Sequence, residues 1–76
     1  NPSPVIVLGG GKVGRAAVRA LKARGVPVHV VEKDPVLADE VRPLADAVTI
    51  GDAADRRVLD AAGVEQAPAI LLTTHD

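Results

Sequence analysis

The chain has 76 residues, of which 47% are apolar, and a formal net charge of -1. This length holds one small domain, and the near-neutral charge together with the absence of aromatic residues excludes the basic surface and stacking platforms of a nucleic-acid binder. There is no cysteine, which excludes disulfides and thiolate sites, and no apolar run approaches the roughly 20 residues needed to cross a bilayer. Because the start also lacks the features of a signal peptide, we expect a cytoplasmic protein without nucleic-acid partners.

The first two predicted elements flank a glycine run. Val5–Leu8 is continuously apolar, as is typical of a parallel strand that is buried on both faces. Lys12–Arg24 has the period of an amphipathic helix, which Gly25 ends in a left-handed cap. The predicted apolar stripe of this helix consists of Val13, Ala16, Ala17, Ala20 and Leu21.

A second strand and a short helix come next. Val28–Val31 is the predicted strand. Asp34 has the place of an N-cap, with Pro35 at the first helical position, and Pro43 ends the helical turn. The apolar stripe of this helix is predicted to be Leu37, Ala38 and Val41.

The remaining elements complete a regular alternation. Ala47–Ile50 is a predicted strand, Asp55–Ala62 a helix closed by Gly63, and Ala69–Leu72 a fourth strand. Right-handed crossovers convert this β-α-β-α-β-α-β series into a parallel sheet of order 3-2-1-4, a Rossmann-type α/β fold. Such sheets usually continue, so we expect the chain to be truncated before the last strands, or the apolar edge of strand four to be covered by another copy.

The glycine run has the context of a phosphate-binding loop. It follows a buried strand, opens a helix, and has an acid, Glu32, about 20 residues further on. Gly9 permits the tight turn, Gly11 the approach of a pyrophosphate, and Gly14 close packing of the helix on the sheet. Free N–H groups at the helix start then face the phosphates. The loop is predicted to comprise Gly9, Gly10, Gly11, Lys12, Val13 and Gly14.

Two cations stand in the first turn of this helix. Lys12 and Arg15 each oppose the helix dipole by about 0.3 to 1 kcal/mol, and a bound anion relieves that conflict. The alternative is that both are solvated side chains on an exposed face.

Glu32 is the predicted ribose-binding acid. A carboxylate there accepts hydrogen bonds from ribose hydroxyls and repels a 2′-phosphate, which favours NAD, ADP or ATP over NADP. Lys33 is either a second ligand contact or a surface lysine, and Asp34 is best explained as the helix cap.

Further candidates follow strands three and four. Asp52 and Ala53 lie at the carboxyl edge of the sheet, where an acid accepts from an adenine amino group. The alternative role of Asp52 is to cap the next helix, for which Asp55 is better placed. Thr73 and Thr74 either touch ribose or phosphate or bond their own backbone.

Neither histidine supplies a catalyst. His29, between valines in a strand, is interpreted as a structural histidine, and His75 is a minor candidate for nucleotide contact. Because the sequence has no Ser-His-Asp, paired-carboxylate or metal-ligand spacing, we predict a binding domain and not an enzyme. The alternative is the cofactor-binding half of an NAD-dependent dehydrogenase, which needs a substrate domain and a catalytic Lys, His or Tyr beyond Asp76.

Four segments carry a family resemblance that extends over essentially the whole chain. They are Val5–Gly14, Val30–Pro35, Gly51–Ala53 and Leu59–Val64. These segments resemble the RCK or KTN domain, also called the TrkA N-terminal NAD-binding domain, of potassium channels and transporters. Many relatives have Asp where Glu32 stands.

The resemblance implies a cytoplasmic regulator that binds NAD(H) or ATP/ADP. It further implies a homo-oligomer that acts on a membrane-embedded potassium channel or transporter pore, of the same or a separate chain, at the inner face of the cell membrane. Carried over to this sequence, it makes Gly9, Gly11 and Gly14 the phosphate loop, Glu32 the ribose acid and Asp52 the adenine-side contact.

Overall fold

A computed structural model describes residues 3–73. The strands are β1 (Val5–Leu8), β2 (Val28–Glu32), β3 (Ala47–Ile50) and β4 (Ile70–Leu72). The helices are α1 (Lys12–Ala23), α2 (Pro35–Val41) and α3 (Arg56–Ala62), and one 3-10 turn, Val64–Gln66, follows α3. The predicted elements are confirmed to within two residues at each end, whereas the 3-10 turn was not predicted.

The four strands form one parallel sheet in the order β3-β2-β1-β4, as predicted. In the register, Leu8 lies opposite Val31 of β2 and Leu72 of β4, and Glu32 lies opposite Ile50 of β3. The carboxyl ends of all four strands therefore meet at one edge. This arrangement confirms the Rossmann-type α/β fold.

Two apolar clusters fill the space between the sheet and its helices. The first joins α1 and α2 to one face of the sheet through five fully buried valines: Val7, Val18, Val28, Val30 and Val41. The second joins α3 to the other face through Ile6, Val31 and Ala62. The central strands β1 and β2 contribute to both clusters, which explains why β1 is continuously apolar and why apolar residues of β2 face both sides of the sheet.

The buried stripe of α1 differs from the predicted one. Gly14 and Val18 are the buried residues of the helix, whereas Val13 is 63% exposed and Ala16 and Ala20 are also exposed. The reason is the close approach of the helix to the sheet at Gly14, which fixes its rotation. Residues four and seven positions later, Val18 and Leu21, then face the core.

The helix ends follow the sequence signals. The amide of Gly25, whose φ is 77°, bonds the carbonyl of Lys22, and that of Val26 bonds the carbonyl of Leu21, which is a Schellman motif. Asp34 and Asp55 cap α2 and α3, each accepting from the amide two residues on. The predicted caps are therefore confirmed.

Strand β4 has an apolar, largely exposed surface. Ile70, Leu71 and Leu72 are 47%, 37% and 71% exposed, and β4 pairs with β1. Strand β4 is therefore an apolar edge of the described sheet, and whether further strands or another copy cover it stays a prediction. Among residues 3–73, no helix has the length and apolar character to cross a membrane.

Candidate functional site

A cleft of about 850 Å³ opens at the edge where the carboxyl ends of the strands meet. Nine of the eleven predicted site residues line it: Gly9, Gly11, Lys12, Val13, Glu32, Lys33, Asp52, Ala53 and Thr73. These residues come from four separate loops, which the parallel topology brings together. The cleft thus joins the start of α1 to the ends of β2, β3 and β4.

The other two predicted residues, Gly10 and Gly14, lie behind the cleft wall. Gly10 is buried, and a Cβ atom there comes within 3.2 Å of Leu37 O. At Gly14 a Cβ atom falls 2.0 Å from the carbonyl oxygen of Gly9, so no side chain fits while α1 stays in place. These two glycines shape the loop from behind.

Gly9 and Gly11 are the glycines that face the cleft. Gly9 has a φ of 125°, a conformation that side chains disfavour, and makes the turn out of β1. Gly11 is the N-cap of α1 and has no side-chain capping bond, and a Cβ atom built there meets nothing within 4 Å. The start of α1 therefore presents backbone N–H groups to open space, which is the geometry that an anion requires.

Glu32 has a different set of partners from the one expected. Its side chain is almost fully buried, at 8% exposure, and Oε1 accepts the amide hydrogen of Gly10 at 2.7 Å. Oε2 accepts the amide hydrogen of Asp34 at 2.8 Å. The carboxylate therefore joins the glycine loop to the start of α2. Because each carboxylate oxygen can accept a second hydrogen bond, contact with a ribose remains available at the cleft wall.

Thr73 also bonds the glycine loop. Its Oγ1 donates to the carbonyl of Leu8 at 2.9 Å and lies 3.4 Å from that of Gly9, and its amide donates to Leu8 O at 3.1 Å. The hydroxyl thus bonds the backbone of another segment, and not its own as the alternative had it. Thr74 and His75 lie outside the described residues.

Asp52 shapes its own turn. Its Oδ1 accepts the amide hydrogen of Ala54 at 2.9 Å, and its carbonyl accepts that of Asp55. Asp55, and not Asp52, caps α3, as the sequence indicated. The side chain of Asp52 is exposed, and Asp52 and Ala53 both line the cleft.

The cations near the cleft have unlike surroundings. Lys12 and Lys33 are exposed at its wall. Arg15 instead has a partner within the chain, because its Nη1 lies 2.6 Å from Oε1 of Glu40 in α2. Glu40 therefore supplies the anion that Arg15 was expected to need, and Lys12 is the first-turn cation that faces the cleft.

His29 lies away from the cleft. Its Nε2 is 2.6 Å from Oγ1 of Thr49, and partial burial lowers the pKa of the imidazole. The structural interpretation of this histidine is thus supported. In the described part of the chain, no three His, Asp or Glu side chains converge as a metal site.

Sequence comparison assigns the domain to a family. Residues 5–76 match the TrkA-N domain. The chain belongs to the TrkA-N domain family. It is 31% identical over 71 residues to a Trk system potassium uptake protein TrkA homolog from Pyrococcus abyssi, with 92% of this chain and 31% of that protein aligned. It is 35% identical over 72 residues to the glutathione-regulated potassium-efflux system protein KefC from Klebsiella pneumoniae, with 95% of this chain and 12% of that protein aligned.

This TrkA-N domain thus spans about a third of the first relative and an eighth of the second. The family membership confirms the resemblance seen in the four sequence segments. It also supports the interpretation of the glycine run as part of a nucleotide-binding fold, because the topology and the loop occur together in this chain.

Five cleft-lining residues were not singled out as site residues from the sequence: Leu8, Val31, Leu37, Ala54 and Leu72. Gly51 also lines the cleft, and the sequence placed it at this edge of the sheet without a role of its own. Leu8 and Leu72 are the last residues of their strands, so strand ends carried the signal. The need for glycine at position 51 comes from packing that the sequence does not reveal, because a Cβ atom there falls 2.7 Å from a methyl group of Val58. The apolar members give the cleft partly apolar walls, as is common in small-molecule sites.

Proposed function

We propose that this TrkA-N domain binds NAD(H), ATP or ADP in the cleft and thereby regulates potassium transport. The observation that carries the proposal is the uncapped start of α1 at Gly11, where open space adjoins the helix within a cleft of about 850 Å³. A helix start of this kind attracts anions through its free N–H groups and its dipole. The volume is in the range of small-molecule sites.

The parts of a nucleotide have distinct places in this proposal. The phosphates lie at Gly9, Gly11 and Val13, with the ammonium group of Lys12 beside them. The ribose hydroxyls donate to the free acceptor positions of Glu32. These assignments follow the chemistry of the donors and acceptors at the cleft wall.

The base has its place on the far side of Glu32 in this proposal. Asp52 and Ala53 bound the adenine side, where the exposed carboxylate accepts from the amino group. Lys33 flanks the ribose, and Thr73 borders the phosphate loop.

The regulatory part of the proposal rests on the relatives. Their names describe a potassium uptake protein and a potassium-efflux system protein. We propose that the domain lies in the cytoplasm, assembles as a homo-oligomer and acts on a membrane-embedded potassium pore of its own or a separate chain. A bound nucleotide alters transport only if it binds two arrangements of that assembly with different affinities. In this role the domain is not itself an enzyme.

Calorimetry of the full-length chain with NADH, NADPH, ATP and ADP tests the binding step. We expect NADH, ATP or ADP to bind more tightly than NADPH, because Glu32 repels a 2′-phosphate. Gly11→Val fills the open space at the helix start and is expected to lower affinity at least about tenfold, which corresponds to about 1.4 kcal/mol. If the wild-type chain binds none of the four nucleotides, the proposal is wrong.

The chain offers a matched control for this variant. Ala16→Val adds comparable bulk to the same helix at an exposed position that does not line the cleft. It is expected to bind like the wild type. Equal losses in both variants mean that bulk on α1, and not occupation of the phosphate site, causes the effect.

The regulatory step needs a separate measurement. Potassium flux is compared in cells whose own gene carries Gly11→Val or Ala16→Val. We expect Gly11→Val to change the flux and Ala16→Val to leave it unchanged. Unaltered flux in a Gly11→Val variant that has lost nucleotide binding contradicts regulation by the nucleotide.

A further inference from the structure

We propose that Glu32 holds the glycine loop, residues 9–14, in its phosphate-binding conformation before any ligand arrives, so that position 32 needs a carboxylate even for a phosphate compound without a ribose. This inference rests on the proposed nucleotide binding and gives Glu32 a second task there, as a positioning residue for the phosphates. It acts through the backbone of Gly10.

The carboxylate of Glu32 accepts from two backbone amides. Oε1 accepts from Gly10 at 2.7 Å, across 22 residues of sequence, and Oε2 accepts from Asp34 at 2.8 Å. At 8% exposure the residue is nearly withdrawn from water, so these two bonds compensate its burial. Because both partners donate, both side-chain oxygens must accept. A carboxylate meets this requirement, and a carboxamide with one oxygen does not.

Gly10 is fixed on its other side by helix α2. A Cβ atom at Gly10 falls 3.2 Å from Leu37 O and 3.2 Å from Cγ1 of Val41, so the loop backbone lies directly against that helix. Asp34, the second partner of Glu32, is the N-cap of the same helix. Glu32 therefore bonds both the loop and the start of α2 to the end of β2, and the three segments form one unit.

The bond to Glu32 divides the amides of the loop into two groups. The amide of Gly10 is directed at Glu32, behind the cleft wall, and is not free to bind a phosphate. Gly11, Lys12 and Val13 line the cleft at the uncapped start of α1. Because Gly11 follows Gly10 directly, holding Gly10 sets where the chain enters α1. Glu32 thereby fixes the conformation that offers free N–H groups to an anion, and needs no ligand to do so.

The charge of Glu32 acts in the opposite direction. A carboxylate near the phosphate site repels an anion, so if Glu32 served only the ribose, removing its charge would tighten the binding of a phosphate compound without ribose. The positioning role predicts weaker binding, because loss of the Gly10 bond loosens the loop. Inorganic pyrophosphate, which has two phosphates and no ribose, separates the two roles. Its affinity is measured by amide chemical-shift titration of the full-length chain.

Glu32→Asp is the variant that removes the Gly10 bond alone. Three aspartates of this chain, Asp34, Asp52 and Asp55, each accept from the amide two residues on. An aspartate at position 32 is therefore expected to keep the charge and the bond to Asp34 but to fall short of Gly10. We expect the affinity for pyrophosphate to fall about three- to tenfold, the net effect of one hydrogen bond.

Glu32→Gln removes the charge and leaves one acceptor for two amides. We expect it to weaken pyrophosphate binding as well, whereas an effect of charge alone would strengthen it. Asp46→Asn is the matched control, because the carboxylate of Asp46 also accepts from a backbone amide, that of Val28 at 2.7 Å, but does not line the cleft. It is expected to bind pyrophosphate like the wild type.

Amide hydrogen exchange without ligand tests the bond itself. We expect exchange at Gly10 to be faster in Glu32→Asp and in Glu32→Gln than in the wild type. The amide of Asp34 is expected to keep its protection in Glu32→Asp. Amides around Val18, in the middle of α1, are expected to exchange alike in all three chains, which shows that the variants are folded.

Several results overturn the positioning role. One is pyrophosphate affinity that is unchanged or raised in either variant of Glu32, and another is equal exchange at Gly10 in wild type and variants. An equal loss of affinity in Asp46→Asn, or a wild-type chain that binds ADP but not pyrophosphate, also contradicts it. A wild-type chain that binds neither compound instead refutes the proposed function, while the exchange measurement still decides whether Glu32 holds the loop.

Discussion

The carboxylate of Asp46 joins three segments at the amino edge of the sheet, opposite the cleft. It accepts from Nζ of Lys22 at 2.8 and 2.9 Å and from the amide of Val28 at 2.7 Å. The hydrogen bond from Lys22, followed by that from Val28, lowers the pKa of Asp46 below its ordinary value. The end of α1 and the start of β2 are thus held together by one ionised side chain.

This pKa shift predicts a pH dependence of stability. A carboxyl group whose folded-state pKa is lowered contributes stability above its unfolded pKa of about 3.9 and loses it as the pH falls through the folded value. Asp46 is 44% exposed, so the contribution at pH 7 is at most about 1 kcal/mol. We expect Asp46→Asn to lower the free energy of unfolding at pH 7 by up to this amount, and the difference from the wild type to shrink as the pH falls below the unfolded pKa and through the lowered folded value.

Urea denaturation at a series of pH values checks this prediction. Asp39→Asn is the control, because Asp39 is 76% exposed and pairs with Arg42 at 3.4 Å. It is expected to have no measurable effect. A difference between Asp46→Asn and the wild type that is as large at pH 2 as at pH 7 contradicts the assigned role of the ionised carboxylate.

Glu32 illustrates what a sequence motif predicts and what it leaves out. Its position at the end of β2 followed from its spacing to the glycines. Its bonds to the amides of Gly10 and Asp34 did not, because they depend on how closely the loop approaches β2 and α2. The pairing of Arg15 with Glu40, 25 residues away, was unpredictable for the same reason.

At the scale of the element, Gly14 sets the position of α1. A Cβ atom there falls 2.0 Å from Gly9 O and 2.8 Å from Gly9 C, which are backbone atoms that cannot rotate aside. Gly14→Ala therefore forces the helix away from β1. We expect it to lower the free energy of unfolding by about 2 kcal/mol or more, the cost of overpacking a close contact.

Gly11→Ala is the matched glycine control in the same loop. A Cβ atom there meets no atom within 4 Å, so stability is expected to stay within about 0.5 kcal/mol of the wild type. Thermal or urea unfolding of the two variants gives the comparison. Equal stability of Gly14→Ala and Gly11→Ala contradicts the packing role of Gly14.

Elements and caps were predictable because their signals are local. Asp34 and Asp55 cap helices in the way that their side chains and positions indicate. The rotation of α1 about its axis could not be predicted from local signals. Its predicted apolar stripe, mostly alanines, suggested a buried face, but the structure leaves most of that stripe exposed. A close contact at a glycine outweighed the hydrophobic pattern, and Val18 became the core residue.

At the scale of the molecule, topology assembles the cleft from distant segments. The strand order places the ends of β2, β3 and β4 around the loop that leaves β1. The sequence predicted this order and therefore nine of the residues that line the cleft. It did not predict which of their polar groups are already bonded within the chain. Because Glu32 and Thr73 bond the loop and Arg15 pairs with Glu40, the start of α1 at Gly11 and the exposed Lys12 are where we propose that phosphate binds.

The most direct test of the central claim follows backbone amide chemical shifts while ADP is added to the full-length chain. If phosphate binds at the start of α1, the amides of Gly11, Lys12 and Val13 move most, and amides near Arg24 at the other end of the helix stay in place. Binding of ADP that leaves those three amides unmoved, or that shifts Arg24 more, contradicts a phosphate site at this loop.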